Sequence, residues 1–262
     1  MTAEQASFVP LLLFYLLTGF RFTGLMFSAP AFMASAMPLP LRLWCAFFLT
    51  LAAVGTIPGA QVPVFLFENW TSVSILALRE FFVGVIIGFL AALPLYALQI
   101  SGELIGISMG FSMVSLMDPL SEAQASIIGQ LQFLVGLWFF FRWNGHLLMT
   151  QAVVESLKLI PPGRLVFWPV SDLGLGSWLQ QAFVLSLRFV LPFYGAILLA
   201  DVGLGFLART VPQMNIFVLG LPLKIALGFF ILTIVLPVAV EIMAGHMEKY
   251  VELALREATA WR

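Results

Sequence analysis

The sequence predicts an all-α, hydrophobic membrane protein, and three observations carry that prediction. Hydrophobic residues fill 61% of the 262 positions and charged ones 10%, against about 25% charged in ordinary soluble domains. Mean hydropathy is +1.05. Six apolar segments stand out, at 8–29, 43–58, 81–101, 127–141, 182–200 and 216–240; a strand-built barrel would instead show alternating segments of about ten residues. The connections "SAMPLPLR", "TIPGAQVPVFLFEN" and "KLIPPGRLVFWPVSDLGLGS" are punctuated by Pro and Gly, which disfavour continuous helix. Consecutive segments joined this way read as helical hairpins, and with no Ser-rich, Gly-rich or charged linker the chain reads as one domain over 1–262.

The first segment belongs to "MTAEQASFVPLLLFYLLTGFRF". It lacks the cationic start of a secretory signal and Arg21 interrupts its apolar run, so a retained first helix is expected. The second, 43–58, and the fourth, 127–141, fall short of the ~20 residues that cross a bilayer. Cys45 in the second reads as a buried small hydrophobe, since a lone cysteine forms neither an internal disulfide nor a thiolate cluster. The fifth and sixth segments contain Arg188 and Lys224, costly inside a membrane unless paired, snorkelled or buried in protein. Pro94, Pro192, Pro222 and Pro237 each free a backbone carbonyl within an apolar segment. Two arrangements satisfy these features: helices wrapped largely by other protein, or kinked helices in an ordinary bundle. The tail 245–262 carries six Lys, Arg or Glu residues, and Val251 and Leu255 among Glu248, Glu252 and Arg256 give it an amphipathic helical pattern.

The net charge of -1 and the scattered cations exclude nucleic acid as a partner, because phosphate neutralisation needs clustered Lys and Arg. Arg42, Arg79, Arg142, Lys158, Arg164 and Arg209 are spread over successive connections, so a positive-inside count gives no membrane orientation. His146 and His246, with no Cys or carboxylate at ligand spacing, make no metal site. "GLGFLAR" lacks the lysine and hydroxyl of a phosphate loop. No cofactor site is visible.

One stretch, "GELIGISMGFSMVSLMDPLSEAQ", stands out. Gly102, Gly106 and Gly110 recur every four residues, and Met109, Met113 and Met117 share that spacing. Small residues at this interval let another backbone approach closely. Methionine offers flexible, polarizable side chains that conform to changing neighbours. Asp118, Pro119 and Ser121 then break any helix. A close-packed helix with gap-filling thioethers and a deformable constriction both fit. "GISMG" matches a G-x-S-x-G nucleophile elbow around Ser108, but that elbow needs a strand, a sharp turn and a helix, and its surroundings read as apolar helix. Among charges near apolar segments, Arg79, Glu80, Glu103, Arg188, Asp201, Arg209, Lys224 and Glu241 are notable. They are either substrate or proton sites of a small-solute or ion transporter or partners of one another.

At "GELIGISMGFSMVSLMDP", "WNGHLL" and "GFLARTVPQMNIFVLGLPLKIALG", the chain resembles the FliR family of flagellar export-gate proteins, and more distantly the injectisome counterpart. The likeness runs over nearly the whole length, including "RFTGLMFSAPAF" and the Pro-Leu-Arg step before the second helix. Its most specific block is 204–228, with Arg209, Pro212, Gln213, Asn215, Phe217, Gly220, Pro222 and Lys224 as the family has them. The resemblance implies a non-enzymatic subunit of an inner-membrane export gate at the flagellar basal body. It would assemble with FliP, FliQ and FlhB-like proteins around a channel for unfolded polypeptides. It also implies a pore-closing loop at about 110–119, with Met109, Gly110, Phe111, Met113 and Met117 as constriction; spacing places Gly102 and Gly106 in helix packing, and Glu103, Arg209 and Lys224 are candidates for ion pairing or assembly. No cofactor is implied.

Overall fold

A computed structural model of the chain describes residues 3–29, 32, 37–57, 70–111, 126–163, 174–210 and 216–260. Among the described residues every regular element is helical: α1 Ala3–Ser28, α2 Leu39–Val54, α3 Trp70–Met109, α4 Ile127–Arg142, α5 Gly145–Leu159, α6 Leu175–Thr210 and α7 Ile216–Ala260. Four helices contain stretches long and apolar enough to cross a membrane, at Pro10–Ser28, Trp70–Met109, Gly176–Thr210 and Gly220–Arg256. The two shorter apolar helices are α2 and α4, the pair whose segments fall short in the sequence.

Three helices outrun their apolar segments. α3 has 40 residues, α6 has 36 and α7 has 45, and Pro94, Pro192, Pro222 and Pro237 all lie within them. A proline removes one ladder bond, while flanking turns continue and packing keeps the axis helical. α5 coincides with no apolar run. Its buried Met149, Ala152, Val153, Ser156 and Leu157 fall at i, i+3, i+4, i+7 and i+8, the one-sided stripe of an amphipathic helix.

The chain divides into two compact units, each built from discontinuous segments. The first comprises Met1–Ala92, Asn144–Leu175 and Met247–Arg262. Its apolar core gathers Leu13, Phe14 and Leu17 of α1, Val54 of α2, and Leu76 and Ala77 of α3. α1 also packs on α5. α1 and α3 meet backbone to backbone: a Cβ on Gly24 would overlap the carbonyl oxygen of Phe81, and one on Gly84 would overlap that of Arg21. Mutual glycines at a crossing bring Cα–H groups against carbonyls and let whole helix surfaces touch.

That approach delivers Arg21 to Glu80. Both side chains are fully buried and their charged groups lie 2.6 Å apart. Arg21 donates from Nε to Glu80 at 2.7 Å, from Nη1 to Ser156 Oγ at 2.9 Å and from Nη2 to the Ile160 carbonyl at 3.2 Å. The second Glu80 oxygen accepts from the Gly163 amide at 3.1 Å, where the chain turns at φ 83° after Pro161 and Pro162. Ser156 passes its own proton to the Val153 carbonyl. Every nitrogen of the guanidinium and both carboxylate oxygens are thus engaged, the condition under which a buried ion pair is tolerated. The network ties α1, α3 and α5 together with the turn that follows α5.

The charged tail continues α7 through Ala260. Met247, Tyr250, Val251 and Ala254 are buried while Glu248, Lys249, Glu252 and Arg256 are exposed. Its apolar stripe is therefore covered within this chain.

The second unit comprises Leu93–Trp143 and Gly176–His246. Here the last turns of α3 pack on α4 across four glycines. A Cβ on Gly102 would sit 2.7 Å from the Cα of Gly129, one on Gly129 would sit 2.7 Å from Glu103 Cγ, and one on Gly136 would sit 2.8 Å from Leu98. Gly106 faces Ser126, the N-cap of α4, whose hydroxyl accepts from the Gly129 amide. Buried Ser101 donates to buried Gln132 across the same seam at 2.8 Å.

Candidate functional site

The exit of α3 is where the Gly/Met stretch meets the rest of the second unit. The helix stops at Met109 by a Schellman turn. The Phe111 amide donates to the Gly106 carbonyl at 3.1 Å and the Gly110 amide to the Ile107 carbonyl at 3.0 Å, while Gly110 takes φ 91°. These are the six-to-one and five-to-two bonds of that motif, with glycine at the left-handed position. The stripe of glycines therefore has two roles. Gly102 and Gly106 admit a neighbouring backbone, and Gly110 ends the helix.

Three residues at this exit touch α7. Met109 is fully buried and its side chain lies over Gly228. Gly110 faces Leu221. The Phe111 ring stands edge-on to Phe229, with centroids 6.5 Å apart at 85°. Beneath them Met109, Ile105, Ile128, Val190, Phe193, Ile197 and Leu232 share one core cluster, which Phe111 and Ile225 flank. Met113 and Met117 lie outside the described residues, as do Asp118, Pro119 and Ser121.

The charged residues singled out by the sequence are separated in space by role. Lys224 meets Asp201 at 2.5 Å, linking α7 to α6, with the lysine 27% and the aspartate 47% exposed. Glu103 accepts a 3.4 Å bond from Gln99 one turn earlier and packs its methylenes on Gly129. Arg209 is exposed in the last turn of α6, where a cation complements the helix dipole. Arg21 and Glu80 belong to the first unit and pair there.

Ser108 is not a nucleophile in an elbow. It lies in the last turn of α3 and its hydroxyl donates to the Ile105 carbonyl at 2.8 Å, with helix and no strand on its N-terminal side back to Trp70. Ser108→Ala should leave the amount of folded protein unchanged and abolish no labelling by a serine-directed fluorophosphonate; labelling lost on substitution would restore a hydrolase. Among the described residues no three His, Cys, Asp or Glu side chains group as metal ligands.

Much of the molecule's apolar surface is bare. Trp44, Phe47 and Phe48 form an exposed aromatic cluster on α2. Leu198, Leu199, Val202 and Phe206 are exposed on α6, and Leu223, Phe230, Ile234 and Val238 on α7. Only 22% of the apolar stretch of α7 is buried, against 67% for α3, so α7 leaves far more of its apolar surface uncovered than α3 does.

These features define a class: an all-helical membrane protein with buried and half-buried charge pairs, wide uncovered apolar faces and a methionine-bearing sequence after the end of α3. Over residues 12–250 the chain matches the model of bacterial export proteins, family 1, and belongs to that family. It is 31% identical to the flagellar biosynthetic protein FliR of Bacillus subtilis over 239 residues, which cover 88% of this chain and 89% of that one. It is 28% identical to FliR of Escherichia coli over 218 residues, covering 83% and 82%. The secretion system apparatus protein SsaT of Salmonella typhimurium is 31% identical over 175 residues, covering 65% and 66%. The chain is thus a FliR-type membrane protein of the flagellar export apparatus and not an enzyme.

Proposed function

We propose that the chain is a subunit of the flagellar export gate in the bacterial inner membrane at the basal body. It assembles with FliP-, FliQ- and FlhB-like proteins and contributes a yielding seal to a channel for unfolded polypeptides. The observation that carries this reading is the end of α3. A glycine-packed helix stops at a Schellman turn, Met109, Gly110 and Phe111 are held against α7, and the sequence from there reads "FSMVSLM". Thioethers and a phenyl ring suit a seal that excludes ions at rest and opens around varied side chains, because they pack without fixed polar geometry. Met109, Gly110 and Phe111 form the root, and Met113 and Met117 the compliant part.

Assembly with other subunits is supported by Lys224 and Asp201. This pair lies within candidate spans and is open on one side, among exposed Leu198, Leu199 and Leu223. A charge facing hydrocarbon at a helix centre costs about 2.5–3.5 kcal/mol on insertion scales, whereas a neighbouring subunit supplies polar contacts. The flagellar reading is preferred to the injectisome one because the FliR relatives match over more of the chain.

In cells carrying the assembled gate, Met113→Gly with Met117→Gly should raise resting ion leakage across the inner membrane while leaving the complex intact. Leakage equal to the unsubstituted gate would overturn the seal.

A further inference from the structure

Gly228 is buried on the face of α7 that meets the end of α3. A Cβ built there would stand 2.5 Å from Met109 Cε, 2.8 Å from Cγ and 2.8 Å from Sδ. The methionine side chain from Cγ outward therefore lies in the notch left by the missing side chain. Leu221, Ile225, Gly228 and Leu232 follow one another at intervals of four, three and four residues, a single helix face. Leu221 abuts Gly110, and Phe229, next to the notch, meets Phe111. Three successive residues at the exit of α3 are thus registered on one stretch of α7.

We propose that Gly228 is a positioning residue for the gate: its notch seats Met109 and thereby fixes where the Met-rich segment begins. The inference rests on the reading of that segment as a seal. Flexibility alone does not explain this glycine, which has helical neighbours on both sides, and helix propensity favours alanine there. Close approach of Met109 does explain it. Gly203 and Gly205, by contrast, have nothing within 4 Å of an added Cβ, so they provide the control.

The test measures resting ion leak per co-purified gate complex in cells. Gly228→Val displaces Met109 and should raise leak at least several-fold, with Gly228→Ala giving a smaller rise in the same direction. Gly205→Ala should give none. Met109→Ala combined with Gly228→Val puts volume back into the notch and should bring leak down again. A purely structural role for Gly228 would lower the amount of complex and leave leak per complex constant, with no rescue. If Gly228→Val does not assemble, Gly228→Ala decides, since there the one side chain that must move is that of Met109, from Cγ outward. Raised leak in Met113→Gly/Met117→Gly with none in either Gly228 variant overturns the socket and spares the seal. Unchanged leak in all of them overturns both.

Discussion

Arg21→Met should remove the folded protein from the membrane and with it flagellar export. The substitution leaves the Glu80 carboxylate fully buried with the Gly163 amide as its remaining partner among those described. Breaking a buried pair by deleting one partner costs about 3–5 kcal/mol, against a total stability of about 5–15 kcal/mol for ordinary domains. That is roughly a hundredfold to several-thousandfold in the folded-to-unfolded ratio. Glu80→Leu should be comparably severe, because it strands a guanidinium. The double variant Arg21→Met/Glu80→Leu should recover much of the loss, since no charge is then buried. It should not recover all of it. Ser156, the Ile160 carbonyl and the Gly163 amide lose a partner, at about 1–3 kcal/mol for each group left unsatisfied. Membrane-fraction immunoblots and thermal denaturation of the purified complex check this order. A double variant as poor as the worse single one would show that the network matters through its hydrogen bonds more than through its charges.

Gly24→Ala should be almost as damaging, and for a steric reason. The new methyl group would overlap the Phe81 carbonyl and approach the Val85 nitrogen and Phe81 carbonyl carbon at 2.9 and 3.0 Å. All three are backbone atoms of α3. No rotamer change relieves a clash with a helix backbone, so the α1–α3 crossing must widen. Overpacking costs typically 1–3 kcal/mol, occasionally more, and widening here also separates Arg21 from Glu80, so the upper end of about 3 kcal/mol is expected. Gly19→Ala supplies the contrast on the same helix. Its methyl would meet Thr50 Oγ1 at an ordinary 3.7 Å, and alanine gains about 1 kcal/mol of helix propensity over glycine. Thermal denaturation of the two variants should therefore move in opposite directions. A Gly24→Ala protein as stable as Gly19→Ala would contradict the backbone contact.

Local features of this fold were legible in the sequence wherever one segment's own chemistry decides them. The all-helical class and the two short helices α2 and α4 follow from apolar run length. The Schellman turn is local too, yet it was missed: the break was expected at Asp118, Pro119 and Ser121, because Gly110 continued the four-residue stripe of Gly102 and Gly106 and so read as a packing glycine and not as a cap. α5 was obscured because a search for apolar runs passes over an amphipathic stripe, although Met149, Ala152, Val153, Ser156 and Leu157 spell one. The reach of α3 before residue 81 was hidden by Thr71, Ser72, Ser74, Arg79 and Glu80, which a composition window reads as a boundary, whereas its run past 101 was legible as apolar helix around Ser108.

Pairings over long separations were not legible. Arg21 finds Glu80 and Ser156 at 59 and 135 positions along the chain, and nothing near Arg21 names either. Glu80 stood among several charges of equal standing. Gly228 looked like any other glycine of an apolar helix, since a notch exists only once Met109 lies across it. The amphipathic pattern of the tail was visible, but not that its stripe of Met247, Tyr250, Val251 and Ala254 is buried within its own chain.

The most direct test is to purify the chain from membranes with and without co-expressed FliP-like and FliQ-like proteins and to weigh the products by native mass spectrometry. The bare faces of α2, α6 and α7 predict one stable complex containing all three proteins, and an aggregating or rapidly degraded chain when it is expressed alone. A stable, monodisperse monomer that leaves FliP-like and FliQ-like proteins behind would contradict it.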